Sequence, residues 1–570
     1  MKIRCVSIDL EMAQPIHNEA LMEKAVIKAE KDEVDLLVFQ AYPLNGLGMG
    51  DTIFNERFLS ENKKALNKFK EFLLDYNLSV VYNYLDEQGE CEVGFWDELP
   101  NMEVLPGYSG VDKRAQVLKA SLNGKTIIID MPCGIDNLEW YFSAKSLYTA
   151  MSEFGKVVYI MCSGLGHQPA TKGIYSNMKL IACDGKLLAY TDDDNELTYN
   201  IDMEVLENSR RKNNLDTIRT PYYENKDYDI YTDPYPYLPK GVTQKDLFDK
   251  VVQMQADGLY QKMRSMNRYK ITIGISGGLD STVSLLSCVE CFKKYNLPLT
   301  DIIGVTMPGL GTTERTYNNA IALMKNLGIT LLDIDLKSLL KMHLDNIKQP
   351  EGKFDVTFEQ CQSRERTQVL LDLANKENAI MIGTGCMSEF ALGWMSYGGD
   401  HLCMYAINIG LPKTMVKMFA RYYIDEYSDF KSLSGKKVAK VVEDILDGPV
   451  SPELLPIDEK GEQHEKTESI IGDYRVQDFF IYHMTVNNIS IKKLFKWTCH
   501  NFSEYEPKQI LKWLEIFTLR FFTRAYKKNC YGDGMSFLRY SASPYSYYIP
   551  SDIDYTIWKQ EIEELKGEIK

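Results

Sequence analysis

No stretch of these 570 residues is apolar for long enough to cross a bilayer, which takes about 20 consecutive apolar residues in a helix. The opening MKIRCVSIDLEM puts Asp9 and Glu11 directly behind a short apolar run, so it lacks the unbroken hydrophobic region of a secretory signal. Cysteine is sparse: twelve in a chain of this length are too few for a disulfide scaffold and read as reduced core residues. Basic residues are in deficit, 65 Lys and Arg against 80 Asp and Glu, for a formal net charge of −15. A dedicated nucleic-acid binder needs clustered basic side chains to meet phosphates, so that class is disfavoured. Internal repeats and low-complexity tracts are also missing. The expectation is a cytoplasmic protein with neither a membrane nor a nucleic-acid partner.

What is present is the balance of a globular protein, 45% hydrophobic and 25% charged. The length exceeds what one core covers, which predicts two large domains. Residues 1–40 read as strand, helix, strand, with a buried run at Leu36 to Phe39. Apolar segments at Lys156 to Ile160, Met178 to Ala182 and Lys186 to Tyr190 flank a Cys183-Asp184-Gly185-Lys186 turn that predicts a hairpin. Residues 206–245, rich in Asn, Asp, Tyr and Pro, form the expected linker between a domain over 1–205 and another over 246–570. In the second, short apolar strands at Ile271 to Ile275, Ile302 to Thr306, Thr330 to Ile334 and Ala379 to Ile382 alternate with helical stretches. That alternation predicts a doubly wound parallel sheet, which binds ligands at the C-terminal ends of its strands.

One of those strand ends carries chemistry. Ile271 to Ile275 runs straight into Ser276-Gly277-Gly278-Leu279-Asp280-Ser281-Thr282 and then a helix. Strand, paired glycines, hydroxyls and a helix N-terminus make an anion pocket, because unpaired N–H groups and the helix dipole both favour phosphate. The loop is not a Walker A motif, as no Gly-Lys-Ser/Thr closes it. Gly124-Lys125-Thr126 resembles such an ending but has Lys119 in place of the first glycine and a strand after it rather than before. Cys288 and Cys291 sit at metal-like spacing on the following helix; with no second pair nearby they read as core.

The SGGLDST string resembles the pyrophosphate-binding loop of the ATP pyrophosphatase superfamily, which activates carboxylates with ATP. The stretches MPGLGTTERTYNNA (307–320), FDVTFEQCQSRERTQ (354–368), GTGCMSEFALGWMSYGGD (383–400), NIGLPKT (408–414) and PSDIDYTIW look like the synthetase domain of NAD synthases of the long, glutamine-dependent bacterial type. The resemblance implies an α/β protein: a shortened nitrilase-like sandwich followed by a Rossmann-like sheet of the adenine nucleotide α-hydrolase type. It implies a ligase that adenylylates deamido-NAD with ATP and Mg2+ and then admits ammonia, working as a homo-oligomer. By position it implies ATP contacts from Gly274, Ser276, Gly277, Gly278, Asp280, Ser281 and Thr384, and metal contacts from Asp280 and Glu389. Deamido-NAD would meet Gln360, Glu389, Trp394, Met395, Ser396, Tyr397 and Lys527 or its neighbour Lys528. Asp280, Glu389 and Lys413, the last as a phosphate-side lysine, would carry the chemistry.

In family members of this length the first domain frees ammonia from glutamine with a Glu, a Lys and a Cys nucleophile. The expected Phe-Pro-Glu-Leu after the second strand here reads Phe39-Gln40-Ala41-Tyr42, and the region for the lysine and cysteine is shortened by tens of residues. Cys91 and Cys133 read as structural; Lys113 and Lys119 could be proposed as the triad lysine, and solvated surface positions explain them at least as well. The expectation is a first domain without a glutaminase triad. Two other functions stay open at this point: a related ligase acting on another carboxylate, and a dinucleotide-binding regulator without turnover.

Overall fold

The computed structural model describes the chain except residues 47–48, 87, 98, 100, 106–112, 133–137, 165–176, 204–205, 208–209, 211–232, 426–432, 449–453, 456–466, 488, 531, 539, 544–546 and 570. It divides into a first unit, essentially residues 1–225, and a second, essentially 226–570. The division falls inside the 206–245 stretch, most of which lies outside the described residues.

The first unit holds two five-stranded sheets. Strands β1 (Lys2–Val6), β2 (Leu36–Phe39), β3 (Ser79–Leu85) and β4 (Cys91–Trp96) form one with β10 (Glu196–Asn200), in the order β10-β1-β2-β3-β4. The other runs in chain order through β5 (Met102–Leu105), β6 (Ile127–Asp130), β7 (Val158–Cys162), β8 (Lys179–Cys183) and β9 (Lys186–Thr191). The predicted hairpin is there: Cys183 pairs with Lys186 in the β8–β9 ladder, and Asp184 and Gly185 take the left-handed conformation that a tight turn requires. Ile3, Val38, Val81, Ile127, Ile129 and Ile160 pack between the sheets, as strands with apolar residues on both faces demand. Helices α1 (Pro15–Lys31) and α2 (Glu56–Leu73) cover the outer face of the first sheet through Met22, Val26, Leu66 and Phe69. Helices α3 (Lys113–Leu122) and α4 (Leu138–Gly155) cover the second through Val117, Ala144 and Tyr148. The result is a four-layer αββα sandwich. Only five residues separate the end of β4 from the start of β5.

The second unit opens with α5 (Gln244–Met266), whose N-terminus Thr243 caps by accepting the Asp246 N–H. Its sheet contains β11 (Lys270–Gly274), β12 (Ile302–Thr306), β13 (Thr330–Asp333), β14 (Ala379–Gly383) and β15 (Tyr405–Ala406), in the order β13-β12-β11-β14-β15 with every pairing parallel. The four strands expected from the sequence match β11 to β14 to within one residue at each end. Helices α6 (Leu279–Lys294), α7 (Glu314–Leu327), α8 (Lys337–Asn346), α9 (Val356–Lys376), α10 (Met387–Leu392) and α11 (Lys413–Asp425) connect or flank the strands. The order reverses between β11 and β14, which makes the ends of these two neighbours the sheet's switch point and its natural ligand crevice. Beyond it the chain is mainly helical, through α12 (Leu433–Asp447), α13 (Thr467–Ile471), α14 (Tyr474–Tyr482), α15 (Ile491–Asn501), α16 (Pro507–Thr523) and α17 (Thr556–Glu568).

Candidate active site

The loop after β11 turns sharply at Gly277, whose φ of +82° suits glycine alone. A Cβ there would lie 2.0 Å from the Thr316 carbonyl oxygen, so the loop is pressed against the first turn of α7. Ser276 Oγ accepts the Gly278 N–H at 3.2 Å, while the hydroxyls of Ser281 and Thr282 donate to the Gly278 carbonyl at 3.1 and 2.9 Å. These local bonds hold the turn open over the start of α6, whose first-turn N–H groups have no partner within the helix. Gly274 ends β11, and Thr384 follows β14 beside it.

Three side chains converge over this loop. Asp280 comes from the first turn of α6, Glu389 from the first turn of α10 and Lys413 from the first residue of α11. The Lys413 ammonium is buried; it donates to Asp280 Oδ2, and to Glu389 Oε1 at 2.9 Å. Burial works against its charge, but the two carboxylates outweigh that and hold Lys413 well above the usual lysine range. Burial, and then the Asp280 charge, push Glu389 up to about 7 despite the lysine. The expected phosphate-side lysine thus pairs with the two carboxylates expected to serve the metal.

Magnesium fits these residues. Asp280, Glu389 and Cys386 bring ligand atoms within 4.8 Å of one another, and the buried Asp280 Oδ1 accepts no hydrogen bond among the described residues. The carboxylates are the hard oxygen donors that magnesium takes; the Cys386 sulfur is not.

A second group lies on the segment after α10. Gly393 ends that helix in the left-handed conformation, and the chain carries Trp394 to Tyr397 on as a loop. The Arg520 guanidinium stacks on the Trp394 ring at 4.4 Å and donates to the Leu392 and Gly393 carbonyls at 3.1 Å each. Lys527 donates to the carbonyls of Gly393 and Met395 at 3.1 and 2.6 Å, whereas the Lys528 ammonium lies over the Phe521 ring. Of the two candidate lysines, Lys527 is the one at this loop. Burial, then Arg520 and Arg524, lower it to about 8. Met395 and Ser396 are buried; the Ser396 N–H donates to Asp400 Oδ1 at 2.8 Å. Gln360, on α9, joins this group through Arg364, which donates to Gln360 Oε1 at 2.6 Å and to the Tyr397 carbonyl at 3.0 Å.

Arg364, Asp400 and Arg520 escaped the sequence reading. Arg364 stands four residues after Gln360 on one helix face and Asp400 ends the GTGCMSEFALGWMSYGGD string, so both had a signal; Arg520, on an amphipathic helix, had none.

In the first unit, Ala41 stands where the resemblance expected a glutamate; it and Gln40 are both buried directly after β2. Cys91 begins the edge strand β4, with Asn83 Nδ2 at 3.9 Å from its sulfur. Cys133 lies outside the described residues. Lys119 is exposed, but the reading of Lys113 as solvated surface is corrected: its ammonium pairs at 2.6 Å with Asp130, a fully buried carboxylate that also accepts the Tyr159 hydroxyl at 2.9 Å. A buried charge requires such a partner. Cys288 and Cys291 are core residues, their thiols pushed up by burial.

A parallel sheet whose switch point carries a glycine-rich anion loop, faced by two carboxylates and a lysine, defines a nucleotide-binding α/β domain. Residues 251–426, within the second unit, match the family model described as NAD synthase. A glutamine-dependent NAD(+) synthetase from Mycobacterium leprae is 34% identical over 356 residues, covering 58% of this chain and 51% of that protein. The chain thus spans about half the length of that relative. One from Thermotoga maritima is 24% identical over 493 residues, covering 76% of this chain and 81% of that protein. The solved structure of a glutamine-dependent NAD(+) synthetase from Cytophaga hutchinsonii superposes with a TM-score of 0.71 at 14% identity, covering 99% of each chain. That likeness shows the shared two-part fold.

Proposed function

We propose that this chain makes NAD by ATP-dependent amidation of deamido-NAD, a C–N bond-forming ligation, and that the nitrogen comes from ammonia. The observation that carries the reading is the meeting of Asp280, Glu389 and Lys413 above the 276–281 loop, within the segment that matches the NAD synthase family. The loop's N–H groups receive the β and γ phosphates of ATP. The nicotinate carboxylate attacks the α-phosphorus, pyrophosphate leaves, and ammonia then displaces AMP. Asp280 and Glu389 would hold magnesium, which supplies charge neutralisation on the phosphates. Lys413 follows the charge that develops as the phosphate bond opens, and Trp394, Tyr397 and Lys527 orient the dinucleotide. Ala41 in place of an acid, together with the five-residue step from β4 to β5, supports a first unit that no longer hydrolyses glutamine.

Purified protein with ATP, magnesium and deamido-NAD tests both halves. NAD, AMP and pyrophosphate should form with ammonium and not with glutamine. No NAD from either donor overturns the reaction; brisk turnover with glutamine overturns the ammonia assignment.

A further inference from the structure

Asp478, on α14, belongs to none of the motifs above, yet it is fully buried a few ångströms behind the site. Its Oδ1 accepts the Ser388 hydroxyl, and its Oδ2 accepts both the Thr414 N–H at 2.9 Å and the Thr414 hydroxyl at 2.6 Å. Ser388 Oγ in turn accepts the Lys413 N–H at 2.7 Å. Lys413 and Thr414 open α11, and their N–H groups are among those a helix cannot satisfy internally. A carboxylate from a distant helix therefore caps α11, directly through Thr414 and through Ser388 for Lys413, and complements its dipole.

The placement is specific in sequence. Ser388 adjoins Glu389 and Thr414 adjoins Lys413, so in each pair one residue faces Asp478 while its neighbour joins the cluster at Asp280. Charge-assisted hydrogen bonds are short and directional, and a shift of about 1 Å at reacting groups is enough to slow catalysis about a hundredfold. We propose that Asp478 is a positioning residue: its carboxylate locks the first turns of α10 and α11 together and so sets Glu389 and Lys413 against Asp280. This deepens the ligase reading and rests on it.

The test compares Asp478→Asn, Ser388→Ala and Thr414→Val with wild type in ammonium-dependent NAD formation, and repeats Asp478→Asn in a Lys413→Met background. An amide cannot accept at both positions, so kcat should fall at least tenfold while the KM for deamido-NAD, whose proposed orienting groups Trp394, Tyr397 and Lys527 are not among those Asp478 ties, stays within twofold. Each single-tie variant should fall less, in the same parameter. With Lys413 gone, Asp478→Asn should cost less than it does in the wild-type background, because one of the two groups it positions is absent. Wild-type kcat in Asp478→Asn, or the same fold loss in both backgrounds with KM raised, overturns the proposal. Should Asp478→Asn fail to fold, Ser388→Ala and Thr414→Val decide on the same criteria. Absence of wild-type turnover refutes the ligase reading instead; the tie is then judged by Mg-ATP affinity in calorimetry, expected at least fivefold weaker in Thr414→Val, with unchanged affinity overturning it.

Discussion

Replacing Lys413 with methionine keeps the length of the side chain and removes the ammonium that Asp280 and Glu389 share. Removing one partner of a buried ion pair costs about 3–5 kcal/mol, because the remaining charge is left without compensation. Glu389 tempers that loss. Its folded value of about 7 stands above the ordinary 4.5, so between those pH values the folded protein holds a proton that the unfolded chain has released. Stability contributed by this group therefore falls as pH rises through the window and levels off above it. Without the lysine the folded value climbs further, and above pH 7 the variant goes on losing about 1.4 kcal/mol per pH unit relative to wild type. At pH 8.5 the deficit should exceed that at pH 7 by about 2 kcal/mol. Urea titration followed by tryptophan fluorescence reports on this part of the chain, since Trp394, Trp497, Trp513 and Trp558 all belong to the second unit. An equal deficit at the two pH values, or a gain in stability, would refute the claim that the ammonium neutralises this carboxylate pair.

Gly277→Ala should weaken ATP binding at least tenfold and lower stability by about 1–3 kcal/mol, because the loop must leave a left-handed turn and back away from the Thr316 carbonyl; calorimetry and urea titration read the two effects. Arg520→Met should raise the KM for deamido-NAD about tenfold and leave that for ATP unchanged, since the guanidinium supports Trp394 and the carbonyls of Leu392 and Gly393 rather than the phosphate loop. Cys91→Ser should leave ammonium-dependent turnover and stability within about 0.5 kcal/mol of wild type, as a half-buried edge-strand residue with one weak polar neighbour.

The phosphate loop was legible because everything that makes it lies within a dozen residues: a β-branched strand, two glycines, then a helix start. The same locality exposed the Cys183–Lys186 hairpin and the parallel strands of the second unit. What stayed hidden depends on contacts between segments remote in the chain. Arg520 reads as one more cation on an amphipathic helix until packing lays it over Trp394, 126 positions away by residue number. Lys113 looks solvated until β6 places Asp130 beneath it. The four-residue strands β5 and β6 offer too few positions for alternation to speak.

The brief passage from β4 to β5 bears on any attempt to give the chain glutamine as a donor. Ala41→Glu would return an acid just beyond β2 at the cost of a charge in a buried position, yet it would leave the five-residue step from β4 to β5 as it is. Point changes are thus the wrong tool. Grafting the entire sandwich from a glutamine-dependent relative, and keeping this chain's own second unit, is the course the topology recommends.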